Sequence, residues 1–115
     1  MSPTLVLRPD GRLLMVVGSA GGSAIINHVA KTLVAVLDWG LGIQQAIELP
    51  NMGSRGGPTE IERGGSSQAL EAALESMGHE VVAIQIESGL QGILVTPSGL
   101  TGGTDPRREG VVLGN

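Results

Sequence analysis

The stretch from Leu13 to Leu37 constrains the fold more than any other part of the chain. Leu13-Leu14-Met15-Val16-Val17 is a continuous apolar run of strand length, the pattern of a strand buried on both faces. It passes without a spacer into Gly18-Ser19-Ala20-Gly21-Gly22-Ser23, and from there into a segment of helical period. Ile25, Ile26, Val29, Leu33, Val36 and Leu37 fall on one stripe, which Ala30 and Val34 widen. So broad an apolar surface predicts a helix packed hard against a sheet. Asp38-Trp39-Gly40 ends it.

The flanking segments complete the reading. Thr4–Leu7 and Leu13–Val17 lie on either side of Pro9-Asp10-Gly11, in which proline fixes one φ and glycine permits a positive one, so the pair predicts a β-hairpin. A second helix is expected over Ile43–Ile47, stopped by Pro50. Residues 51–65, glycine-rich and carrying Pro58, read as an irregular loop. Ser66 or Ser67 then offers an N-cap for a third helix, with Leu70, Ala73, Leu74 and Met77 on its stripe and Gly78 as its C-terminal cap. Val81–Ile86 and Leu90–Thr96 read as strands joined through Ser88-Gly89, and Pro97-Ser98-Gly99 turns the chain into Leu100–Gly102. The polar end, Asp105 to Gly110, reads as coil. The expected order is ββ-α-α-α-βββ, an α+β domain or a piece of one.

Composition narrows the chemistry. With 115 residues the chain makes at most one small domain. Trp39 is its only aromatic residue, so a core must be aliphatic and base-stacking modes of RNA binding have nothing to work with. A net charge of −4 argues against nucleic acid and acidic membranes as partners. No apolar run reaches the roughly 18 residues that a spanning helix needs, and Met1 leads straight into Pro3 without a basic leader. Cysteine is absent, which excludes disulfides, thiolate metal sites and cysteine nucleophiles.

The glycine loop carries most of the functional information. Glycines between a strand and a helix let backbone N–H groups point into open space at the positive end of the helix dipole. Such amides can hold an oxyanion during acyl transfer, or a carboxylate or phosphate at rest. The loop lacks the Walker spacing and lysine, and Gly18-x-x-Gly21-Gly22 is not a dinucleotide fingerprint. A tight turn that simply needs small residues explains the same pattern. His28, within the long helix, and His79, after the third, read as satisfied or solvent-facing histidines, since no acidic or histidine cluster of metal-ligand spacing surrounds either. Asp38, Asp105 and the glutamates are scattered, as on a solvated face. Arg107-Arg108 reads as a solvated tail, with a tie to a buried carboxylate such as Asp105 as the alternative. No serine has a G-x-S-x-G context. The residues thus supply half a site, an anion hole without nucleophile or base.

Met1-Ser2-Pro3-Thr4 before the hairpin, Gly18-Ser19-Ala20-Gly21-Gly22-Ser23 before the helix, Ala46 and Pro50, Gly78-His79-Glu80-Val81, and Gly103-Thr104-Asp105-Pro106-Arg107 occur in that order. Together they resemble the C-terminal part of the small subunit of the γ-glutamyltransferase (glutathione hydrolase) family, over essentially the whole chain. The resemblance implies an N-terminal-nucleophile hydrolase fold, two stacked sheets between helix layers (αββα), of which residues 1–115 would be a single partial domain. It implies transfer or hydrolysis of γ-glutamyl groups through an acyl-threonine intermediate, without a cofactor or metal. By position, Gly21 and Gly22 would form the oxyanion hole for the γ-glutamyl carbonyl. The catalytic threonine, and a Ser-Ser pair that binds the substrate carboxylate, lie upstream of Met1 in the family. Thr4, Thr32, Thr59, Thr96, Thr101 and Thr104 are all internal, without the free amine such a nucleophile uses as its base. Ala24 departs from the arginine that many members carry. The implied partners are a glutathione-like substrate, the upstream part of the small subunit and a large subunit, in a periplasmic or secreted enzyme; this chain alone is expected to be inactive. The alternative is a non-catalytic truncated homologue that acts as an interaction or structural piece.

Overall fold

The turn at Pro9-Asp10-Gly11 closes as its residues require. Gly11 takes φ +83, and the Asp10 carboxylate accepts from the backbone N–H and the Nε of Arg12. This folds β1 (Thr4–Leu7) back on β2 (Leu13–Gly18). The computed structural model describes residues 1–114, and α1 (Ile25–Leu37), α2 (Ile43–Glu48), β3 (Met52–Gly53), β4 (Thr59–Glu62), α3 (Gln68–Ser76), β5 (Val81–Ile84), β6 (Gln91–Thr96) and β7 (Gly99–Thr104) follow in turn. The architecture is α+β, built on two sheets.

The first sheet is antiparallel throughout, with its four strands in the order β1-β2-β6-β7. It joins the N-terminal hairpin to the hairpin that Gly99, at φ +128, closes between β6 and β7. Its three-stranded companion, ordered β3-β4-β5, pairs β4 with β5 in parallel, because α3 serves as the crossover between them.

Two glycines set the depth of the main core. Gly92 and Gly103 face each other across β6 and β7. A Cβ on either would come within 2.8 Å of a Cδ1, that of Ile43 over Gly92 and that of Ile47 over Gly103. Absence of both side chains lets α2 lie directly on the strands. The buried cluster is aliphatic: Met15, Val17, Val29, Ala35, Val36, Ile43, Ala46, Ile47 and Leu90 are at its heart.

Several sequence expectations are corrected. β2 is buried on one face only: Met15 and Val17 are covered, whereas Leu14 and Val16 are half-exposed. They belong to an open apolar face on which Leu5 is 69% and Ile93 46% exposed. The C-terminal residues Val111–Leu113 run along part of that face, with Val112 over Gly102. Helix α1 has the expected bounds but a different buried side: Ile25, His28, Val29, Thr32, Ala35 and Val36 face inward, while Ile26, Ala30, Val34 and Leu37 face out. Polar His28 and Thr32 can face in because each has a partner; Thr32 donates to the His28 carbonyl.

Residues 51–65 are not an irregular loop, since β3 and β4 lie within them. Thr59-Glu60-Ile61-Glu62 buries Ile61 alone, and its pairing with β5 is non-local, so the local pattern carries too little apolar signal to mark it. The order is therefore ββ-α-α-ββ-α-βββ. Helix α3 starts after Ser67 without a side-chain cap bond, and no residue on it is buried. Leu70 and Leu74 are half-covered and Met77 is exposed. Gly78, at φ +91, ends it as expected.

Candidate anion site at the strand to helix junction

The chain leaves β2 at Gly18 and enters α1 through a short 3₁₀ turn, Gly22–Ala24. Gly21 stands at φ +132 and Gly22 at φ +62, two successive positions that L side chains disfavour. Their surroundings differ. A Cβ at Gly21 would sit 2.9 Å from Cε1 of His28, whereas one at Gly22 would meet nothing within 4 Å. Among the described residues, neither amide N–H donates to a protein acceptor. Two free donors thus stand at the N-terminal, positive end of a helix of 13 residues. The turn also borders a small pocket of about 150 Å³ that Ser23, His28, Arg55, Glu60 and Glu87 help to line. At its mouth Arg55 is held by both carboxylate oxygens of Glu60 and reaches Ser23 Oγ at 3.3 Å.

The strand side of the loop is braced by residues 88–90. Ala20 and Gly89 exchange backbone hydrogen bonds at 3.3 Å, and the Gly89 N–H also donates to Ser19 Oγ. On either side of Gly89 the chain is tied to Asp105. The Ser88 hydroxyl donates to Asp105 Oδ2 at 2.5 Å and the Leu90 N–H donates to the same oxygen at 3.0 Å. Asp105 Oδ1 accepts from the Arg107 N–H and from its Nη1. Burial alone pushes the Asp105 carboxyl up, but Ser88, Leu90 and Arg107 outweigh it and hold it below the usual carboxylate range. Because Ser88 has one hydroxyl proton and gives it to Asp105, Asn51 Nδ2 must donate to Ser88 Oγ, at 2.8 Å. Among the described residues, Asn51 Oδ1 is buried without a partner.

Arg107 ties this cluster to the rest of the molecule. Its Nε and Nη2 form a bidentate pair with Glu62 at 2.6 and 2.8 Å, and its other donors reach the Ile47, Glu48 and Leu49 carbonyls at the end of α2. Lys31 donates to the Ile47 and Leu49 carbonyls as well, and burial together with Arg107 lowers its pKa to about 8. Arg107 is therefore the buried tie and not a solvated tail; only its neighbour Arg108 is exposed. Asp105 and Glu62, scattered in sequence, converge on it.

Gly21 and Gly22 thus share one loop with free donors, and His28 lies directly beneath Gly21. It is 2% exposed, with Nδ1 3.5 Å from Ser19 Oγ. Burial is the largest influence on its pKa and lowers it. His79 and Asp38 are exposed and take no part. No group of three or more histidine, aspartate and glutamate side chains is placed to hold a metal among the described residues. Asn51, Glu62 and Ser88 had no functional reading in the sequence, because long-range contacts alone give them a place. The arrangement can receive a developing negative charge.

Comparison with known proteins agrees along the whole chain. The family model for Gamma-glutamyltranspeptidase matches residues 1–115. A glutathione hydrolase proenzyme of Escherichia coli (strain K12) is 38% identical over 110 residues, 93% of this chain and 19% of the relative. One from Pseudomonas sp. (strain A14) is 35% identical, over 99% of this chain and 22% of the relative. The structure of an acivicin-inhibited γ-glutamyltranspeptidase superposes with a TM-score of 0.85 at 33% identity, covering 95% of this chain and 61% of that one. The chain spans about a fifth of the length of these curated relatives. The fold is that of the N-terminal-nucleophile hydrolases to which those structures belong, and the chain is a member of the γ-glutamyltranspeptidase family.

Proposed function

We propose that residues 1–115 are a partial domain from the C-terminal end of a γ-glutamyltransferase small subunit, and that Gly21 and Gly22 are its oxyanion hole. One observation carries the reading: two adjacent positive-φ glycines with unengaged N–H groups at the start of α1. In the complete enzyme an N-terminal threonine from the upstream part attacks the γ-glutamyl carbonyl, and its own amine takes the hydroxyl proton. Charge gathers on the carbonyl oxygen, and the two amides and the helix end stabilise it without reorganising. The tetrahedral species collapses, the amine of the leaving group departs with the proton, and the acyl-threonine ester remains. Water or an acceptor amine then repeats the sequence in reverse, through the same hole.

The frame fits this task. Asp105 and Arg107 fix residues 88–90, and these fix Ser19 and Ala20 beside the loop. The C-terminus has critical roles in autoprocessing and catalysis in the acivicin-inhibited relative. The open apolar face of the first sheet supports a missing layer, the second sheet of the sandwich, furnished by the upstream part of the small subunit with a large subunit beyond.

The test is release of the aniline from a γ-glutamyl anilide. The complete enzyme should turn it over, and displacing one donor through Gly21→Ala should lower kcat by about 10²–10³ with little change in KM. The 115-residue chain alone should release none. Turnover by the isolated chain, or full kcat in the Gly21→Ala enzyme, would contradict the assignment.

A further inference from the structure

Helix α1 places a histidine where packing alone asks for an aliphatic side chain. His28 lies on the buried side of α1 between Ile25 and Thr32, and the Nδ1–Cε1 edge of its ring rests against Gly21. Ser19 Oγ donates to the Ala20 carbonyl at 2.7 Å, which uses its single proton. The 3.5 Å contact from His28 Nδ1 to that hydroxyl therefore has Nδ1–H as its donor. The ring thus touches two residues of the loop, Ser19 through this hydrogen bond and Gly21 by packing.

We infer that His28 is a positioning residue for the Gly21–Gly22 loop, and that its neutral imidazole is the form that holds the loop in place. This rests on the oxyanion reading of the two amides, and it goes beyond that reading by naming what aligns them. A ring that is buried and proton-donating on one edge supplies both a hard surface under Gly21 and a directional bond to Ser19.

The charge around the ring decides which protonation state serves. Lys31, one turn further along α1, and Arg107, from the C-terminal segment, oppose a proton on His28; Asp105 favours one. Arg55, Glu60 and Glu87 border the pocket on its other side. Desolvation is the largest influence and disfavours the cation. A protonated ring must gain solvent, and its Nδ1–Cε1 edge is packed against Gly21. Acid therefore should move the loop before it unfolds the domain.

The experiment is a pH titration of the full 115-residue chain, ¹⁵N-labelled, with His79→Gln removing the other imidazole from the record. As pH falls past the ordinary histidine value of about 6.5, the Gly21 and Gly22 amide resonances should shift with one midpoint. That midpoint should be the one read from the His28 Cε1 proton, and the Gly99 amide in the distant hairpin turn should stay in place. His28→Asn, whose amide can donate from near the Nδ1 position, should keep both glycine resonances near their high-pH places throughout. His28→Leu, which fills the space without the bond, should displace them at every pH while Gly99 and Gly103 report an intact fold. The proposal is overturned if the glycine amides ignore the His28 midpoint, or if they still titrate in His28→Asn. It also fails if His28→Leu leaves them unmoved. None of these failures touches the oxyanion assignment, which the anilide assay tests separately.

Discussion

Replacing Asp105 by asparagine alters one atom in kind and almost nothing in shape, so it isolates the electrostatic role of the carboxylate. The four donors that converge on it are the Ser88 hydroxyl, the Leu90 and Arg107 backbone N–H groups and Arg107 Nη1. An asparagine oxygen can serve one pair; its NH₂ then confronts the other. Each buried donor left unserved costs about 1–3 kcal/mol, and Arg107 keeps only Glu62 as counter-charge. The sum is a loss of about 3–5 kcal/mol, a large share of the ~5–15 kcal/mol of a typical domain. Urea titration monitored by circular dichroism should show a lower midpoint with an unchanged slope. The pH dependence supplies a second reading. The folded-state carboxyl is held below its usual value, so its contribution is complete above about pH 3.9 and is lost as pH falls through the depressed value. The gap between the native chain and Asp105→Asn should close in acid for that reason. A loss under ~1 kcal/mol at neutral pH would refute the claim that this carboxylate organises the frame.

Gly103→Ala should cost about 1–3 kcal/mol by pushing Ile47 and α2 off the sheet, whereas Gly57→Ala, which meets nothing, should fall within about 0.5 kcal/mol of the native chain in the same titration. Gly21→Ala should be clearly worse than Gly22→Ala: both incur a positive-φ penalty of about 1–2 kcal/mol, but only the former collides with His28. Equal losses would show that the His28 contact is soft. Stability should also decline as pH falls through about 6.5 toward the lowered His28 value, because the unfolded chain binds that proton first, and His28→Asn should flatten this part of the curve.

Local pattern revealed part of the fold. The hairpin turn at Gly11, the bounds of α1 and the Gly78 cap are fixed by residues within a few positions of one another. β4 escaped because its partner is β5, reached only after a helix, and because it buries one side chain. The inward side of α1 was misjudged for a related reason: hydrophobicity ranks Ile26 above His28, yet Ser19 gives the His28 ring an interior partner. Arg107 looked like a tail because Glu62 lies 45 positions away. Gly21 and Gly22 were legible as an anion loop or a tight turn; what favours the first is two N–H groups that donate to no acceptor among the described residues.

The most direct measurement is the intact mass and N-terminal sequence of the native polypeptide recovered from its source cells. If the chain is the end of a γ-glutamyltransferase small subunit, this sequence will be found within a larger polypeptide whose first residue is threonine. A species of 115 residues beginning at Met1 would contradict the account, because the nucleophile that Gly21 and Gly22 are placed to assist would not exist.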